Sequence, residues 1–215
     1  MLLNAHDHHS MVTGRHVPFR GFDPYDEVRT SRRRLPHWHQ ERVTYFITFG
    51  WPIRCRNHYC VSGGTNAPFG SDYIRNPGEL RNSANMKRAL AAACRNGSMP
   101  AWVLATCGGC LLQFDGNRYD IHAFVLMPNH VHGLIKPTTG CNLSTVLQGL
   151  KAVSANRCNK LLGHKSTFWM DESYDHIVRD AKELRAFRSY ITGNPAKAGL
   201  KPHEYSLQLR DVLII

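Results

Sequence analysis

Between Tyr119 and Lys136 two runs of strand-forming residues, Tyr119-Asp-Ile-His-Ala-Phe-Val-Leu-Met127 and His130-Val-His-Gly-Leu-Ile-Lys136, are parted only by Pro128-Asn129. So short a gap demands a tight reversal, and hence two adjacent antiparallel strands. Side chains alternate along a strand with period two, which sends His130 and His132 out of the same face. Two imidazoles side by side make half of a metal site, although the spacing alone fits a pair of surface histidines equally.

The elements around this hairpin read as follows. Val43–Phe49 is rich in β-branched and aromatic residues and ends at Gly50-Trp51-Pro52, as a buried strand does. Arg54–Gly78 has the Gly, Asn, Pro and Ser content of an irregular loop, and Glu79–Asn96, stopped by Gly97, is expected to be helical. Trp102–Phe114 is expected to hold one or two short strands around Gly108-Gly109. Leu143, Val146, Leu147, Leu150, Val153, Leu161 and Leu162 recur at helical spacing, with Lys151, Arg157 and Lys160 among the polar positions. That pattern predicts an amphipathic helix with a basic outer face. A further helix from Asp180 to Gly193 carries Leu184, Phe187 and Ile191 and is expected to end at Asn194-Pro195. Tyr190 and Asn194 then share one face, a turn apart, or else Tyr190 extends the apolar stripe and Asn194 caps the helix. The order strand, helix, strand, strand, helix, helix predicts an α+β fold with helices on one face of a small antiparallel sheet.

Charge narrows the class of partner. The 215 residues include 27 Lys+Arg against 16 Asp+Glu, a formal charge of +11, and a basic surface gains affinity for phosphates by releasing their counterions. Residues 1–34, ending in Arg32-Arg33-Arg34, read as a flexible basic arm, 35–205 as one domain and 206–215 as a tail. His6, His8 and His9 belong to that arm and read as solvated. The chain shows no apolar run long enough to span a bilayer and no secretory leader, so a cytoplasmic, nucleoid-associated protein is expected. Seven irregularly spaced cysteines fit reduced thiols, and Cys107-Gly-Gly-Cys110 has no second Cys-x-x-Cys to complete a zinc site. Absence of a Gly-x4-Gly-Lys-Ser/Thr loop argues against a nucleotide cofactor.

The string Ala123-Phe-Val-Leu-Met-Pro-Asn-His-Val-His-Gly-Leu-Ile135, followed by Tyr190-Ile-Thr-Gly-Asn-Pro-Ala-Lys-Ala-Gly-Leu200, resembles the REP-associated tyrosine transposases, IS200-like members of the His-hydrophobic-His superfamily. Leu35-Pro-His-Trp38, Thr44–Phe49 and Phe168-Trp-Met-Asp-Glu-Ser-Tyr-Asp-His-Ile-Val-Arg-Asp180 resemble that family's other blocks in the same order, so the likeness spans roughly 33–202. It implies a ferredoxin-like, RRM-like sheet carrying His130 and His132 as ligands of a divalent ion, Mg²⁺ or Mn²⁺. It further implies Tyr190 as nucleophile and Asn194 as the residue completing the metal site, where relatives often have Gln. The implied activity is cleavage and rejoining of single-stranded or hairpin DNA through a 5′-phosphotyrosine, that is, DNA transposition, by a monomer or homodimer. Residues 1–30 and the continuation after Phe49 depart from the family's pattern.

The chemistry suits those residue types. A phosphodiester repels nucleophiles, so a cation at the scissile phosphate must stabilise the charge of the transition state. A phenol, with a pKa near 10, needs a neighbouring cation or base in order to attack. Tyr174 is the rival nucleophile, but Glu172 and Asp175 on either side oppose phenolate formation. Those two carboxylates and His176 remain candidates for supporting contacts, and Arg179 for a phosphate or carboxylate partner. The competing readings are a catalytically idle protein that binds DNA or RNA hairpins and an RRM-like RNA module, the latter lacking an evident stacking pair.

Overall fold

The runs rich in β-branched and aromatic residues form the strands of one antiparallel sheet. In the computed structural model, which describes residues 16–32, 36–51, 101–162 and 167–213, the strands are β1 (Val17–Pro18), β2 (Arg29–Arg32), β3 (Pro36–His39), β4 (Tyr45–Gly50), β5 (Tyr119–Leu126), β6 (His130–Pro137), β7 (Tyr174–Ile177), β8 (Ser206–Leu209) and β9 (Val212–Leu213). The helices are α1 (Ala101–Leu112), α2 (Leu143–Leu162) and α3 (Ala181–Lys197). The loop and helix expected over 54–96, Arg33, Arg34 and the histidines at positions 6, 8 and 9 lie outside the described residues.

The main sheet has five strands in the order β7-β4-β6-β5-β8. Its first four are joined as β4, α1, β5, β6, α2, β7, the ferredoxin-like βαββαβ arrangement, and β8 adds an edge. The predicted hairpin is present, with Met127 N–H donating to His130 O at 2.8 Å across the reversal. α1 and α2 cover the face formed by Tyr45, Ile47, Phe49, Val131 and Ile135. α3 lies on the other face, where Leu184 and Ile191 pack with Phe46, Ala123, Val125 and Leu134. The expectation that all helices share one face is therefore corrected: α3 buries an apolar row that would otherwise meet water.

Trp102–Phe114 is corrected from strand to helix. Val103, Leu104, Cys107, Cys110 and Leu111 are all buried, and their spacing is helical. Burying an aliphatic side chain contributes about 1.5–3 kcal/mol, whereas each helical glycine costs about 1 kcal/mol, so the pattern outweighs Gly108-Gly109. The last helix also runs further than expected, through Pro195 to Lys197. It stops where Gly199 takes φ +67 and the N–H groups of Gly199 and Leu200 donate to Ala196 O and Pro195 O.

Neither end is a free appendage where it is described. Val17 is buried and β1 pairs in parallel with β9, while Phe22 N–H donates to Val178 O and Thr44 N–H to Arg20 O. β8 pairs with β5 from Ala123 to Leu126, so the expected tail completes the sheet. Apolar residues inside both segments supply the reason: Phe19, Leu207, Leu209 and Val212 pack against the α3 side of the core.

Candidate active site

Strand register assembles the site. Gly50 of β4 faces His130 of β6, and Thr48 faces both His132 of β6 and Tyr174 of β7. Residues opposite one another leave the same side of the sheet, here the side of α3. His130 and His132 accordingly stand with ring centroids 4.5 Å apart.

Each imidazole has one nitrogen fixed and the other available. His132 Nδ1 and Thr48 Oγ1 share a hydrogen bond of 2.7 Å, and His130 Nδ1–H donates to Asn129 Oδ1 at 2.5 Å. This is the support that metal-binding histidines use, because a partner on one nitrogen sets the tautomer and turns the other lone pair outward. Burial and then the neighbouring His130 push the pKa of His132 down to about 4, and burial lowers that of His130. Both rings are therefore neutral near pH 7, as ligation requires.

Tyr190 comes from α3 and is 42% exposed. Its hydroxyl lies 3.4 Å from His132 Nε2, and its ring meets that of Phe46 edge-on at 5.9 Å. Lys197 Nζ lies 5.8 Å from the ring centroid, a cation two turns along the same helix. Asn194 is inside α3 and does not cap it. Its amide nitrogen is buried without a hydrogen-bond partner among the described residues, so the fold leaves that group uncommitted. The two imidazoles can supply nitrogen ligands to a divalent ion, whereas the uncommitted Asn194 Nδ2 is a hydrogen-bond donor suited to a phosphate oxygen. Among the described residues no group of three His, Cys, Asp or Glu is placed to hold a metal alone.

The other expected residues fall into separate places. Arg32 ends the exposed strand β2. Arg157 and Lys160 are exposed on α2, across the sheet from the histidines, and Arg157 also reaches Cys110 Sγ at 3.6 Å. Lys151 turns inward and donates to Met170 O, Asp171 O, Glu172 O and Ser173 Oγ at 3.0–3.3 Å. It fastens the 170–173 loop, which corrects its expected place on a basic outer face. Arg179 pairs with Glu183 at 2.8 Å and so takes the carboxylate of its two expected partners. Glu183 also accepts from His176 Nε2 at 3.1 Å, and burial notwithstanding, these partners hold its pKa near 2. Asp175 and Glu172 face His37 of β3, and no bond from either to the histidine pair is present among the described residues. Cys107 and Cys110 are buried in α1, with Cys107 Sγ 3.4 Å from Cys158 Sγ, and all the described cysteines are free.

Thr48, Asn129 and Lys197 were missed as site residues. Asn129 was visible as the turn residue beside His130, and Lys197 as the basic residue seven positions after Tyr190. Thr48 needed the β4–β6 register, which no local pattern supplies.

No curated protein matches the chain. A solved structure described as that of the REP-associated tyrosine transposase bound to a REP hairpin aligns at 18% identity and a TM-score of 0.46, covering 80% of this chain and 75% of that one. The family model described as transposase IS200-like matches residues 112–194, a stretch holding both histidines, Tyr190 and Asn194, and over that stretch the resemblance to the IS200-like transposases stands.

Proposed function

We propose that the protein is a metal-dependent endonuclease and strand transferase for single-stranded or hairpin DNA, working through a 5′-phosphotyrosine. The observation that carries this reading is the approach of the Tyr190 hydroxyl to His132 Nε2 at 3.4 Å, on the sheet face where His130 stands beside it. A nucleophile and a candidate metal-binding pair, from different elements, meet at one half-open end of the sheet.

A bound Mg²⁺ or Mn²⁺ would polarise the scissile phosphate and offset its growing negative charge. Thr48 and Asn129 hold the two imidazoles by their Nδ1 atoms, so that their Nε2 atoms would hold that ion, and Asn194 would complete the site through its Oδ1. The phenolic oxygen of Tyr190 attacks phosphorus, its proton passing to solvent or to the departing oxygen. As the Tyr190 O–P bond forms, the P–O3′ bond breaks, leaving a 5′-phosphotyrosine and a 3′-hydroxyl. Lys197 puts a positive charge 5.8 Å from the Tyr190 ring centroid, where an approaching phosphate would meet it. One phosphoester replaces another, so a 3′-hydroxyl can reverse the step without ATP. Removing divalent ions with a chelator should abolish cleavage of a single-stranded hairpin substrate, and Mg²⁺ or Mn²⁺ should restore it; full activity in chelator would refute metal dependence.

A further inference from the structure

Two large side chains remain exposed beside the histidines although the backbone beneath them is firmly held. Tyr174 is 49% exposed and Met170 51%. Met170 N–H donates to Gly50 O at 2.9 Å, and Lys151 fastens the loop between them with its four contacts. Register aligns them with the site in two rows. Tyr174, Thr48 and His132 form one row across β7, β4 and β6. Met170, Gly50 and His130 form the other, since a Cβ placed on Gly50 would lie 3.7 Å from Met170 Sδ and 3.9 Å from His130 Cβ.

Tyr174 shares the α3 face with His132, because its ring meets Phe46 edge-on at 6.4 Å and Phe46 also stacks with His132 and Phe187. Tyr174 and His132 are two strand spacings apart, about 10 Å. One nucleotide covers such a span from its phosphate to its base. Aromatic rings held at the edge of a groove bind single strands by stacking, which every base permits. An ordinary packing role would bury both faces of the ring, yet half of this residue's surface meets solvent.

Resting on the proposed strand cleavage, we propose that Tyr174 is a positioning residue: its ring stacks a base of the single strand adjoining the phosphate held at His130 and His132, with Met170 closing the far end of the shelf. Because stacking precedes chemistry, binding reads it separately from covalent adduct formation.

The probe is an oligothymidylate carrying 5-bromodeoxyuridine, measured for affinity and photocrosslinked to the full chain. Wild type should crosslink on the peptide containing Tyr174, and Tyr174→Phe should bind within about twofold of wild type. Tyr174→Leu and Tyr174→Ala should weaken binding roughly 5- to 160-fold, the effect of losing one stacked base. Leu keeps apolar contact with Phe46, so it tests the ring even if Ala perturbs folding. Wild-type affinity in Tyr174→Leu, or crosslinks that avoid Tyr174, would overturn the shelf. Failure of Tyr190 to form an adduct would refute the cleavage reading while leaving these binding results to judge the shelf independently.

Discussion

The two faces of the central sheet are built from alternate residues of the same strands, yet only one carries the candidate site. Along β4, Tyr45, Ile47 and Phe49 meet α1 and α2 in an apolar layer. Phe46 and Thr48 point the other way, toward α3, where the apolar layer ends at His132 and Tyr190. Cys107, Cys110 and Cys158 on the first face have metal-binding side chains too, but the hydrogen bond with Cys158 and then burial push the Cys107 thiol up, burial pushes Cys110 up, and both stay protonated. A reactive residue type becomes a site only when a fixed partner on one side is combined with open space on the other.

That contrast predicts its own largest effect. His130→Ala or His132→Ala should reduce cleavage by about 100-fold or more, since a ligand should matter at least as much as the outer partner of a ligand. Replacing both Cys107 and Cys110 with Ala should leave specific activity unchanged and lower only the melting temperature. Assays on folded protein, checked by circular dichroism, separate the outcomes; cleavage lost with the cysteines would mean that the dry face takes part in the reaction.

Thr48→Val sharpens the comparison by removing one oxygen from the polar face while keeping a β-branched residue in the strand. Losing the partner of His132 Nδ1 should weaken metal affinity or activity about 10- to 100-fold, read from a Mn²⁺ titration of cleavage. No change in the half-saturating concentration would show that Thr48 does not orient the ring.

A smaller effect distinguishes two buried histidines on the α3 side. His122 sits at the bulge of β5 with neither ring nitrogen hydrogen-bonded among the described residues. Its pKa is pushed down to about 3 by burial, helped by Lys136, Arg188 and Arg210. The unfolded chain then binds more protons between about pH 6.5 and 3, so stability declines as pH falls through that window, by up to about 1.4 kcal/mol per unit from this residue. His122→Leu should flatten that decline in pH-dependent denaturant titrations while retaining cleavage, because no hydrogen bond is lost. An unchanged acid limb would show that other groups dominate it.

Much of this was legible where local pattern and tertiary structure agree. The β5–β6 hairpin, the strand Val43–Phe49, the 143–162 helix and the same-face placement of His130 and His132 all follow from periodicity. Local rules misled where packing overrode them. Gly108-Gly109 suggested broken strands, but five buried side chains at helical spacing hold α1 together, and Pro195 suggested a stop that Gly199 supplies instead. The inward turn of Lys151 and the role of Thr48 depend on contacts between segments distant in sequence, which no window along the chain reveals. Residues 16–32 and 206–213 looked peripheral because their apolar residues are scattered, and they are held by pairing with each other and with the main sheet.

The most direct measurement is transfer of a 3′-label from single-stranded hairpin DNA to the protein on a denaturing gel, with wild type, Tyr190→Phe and Tyr174→Phe compared at equal DNA occupancy. Removing one oxygen keeps the aromatic body of Tyr190 against Phe46, so folding should be preserved and any loss should reflect the nucleophile. Wild type and Tyr174→Phe should carry the label to the position of the protein, and Tyr190→Phe should carry none. A labelled adduct that survives in Tyr190→Phe and disappears in Tyr174→Phe would assign the reaction to Tyr174, and one that survives in both would contradict tyrosine catalysis at this site.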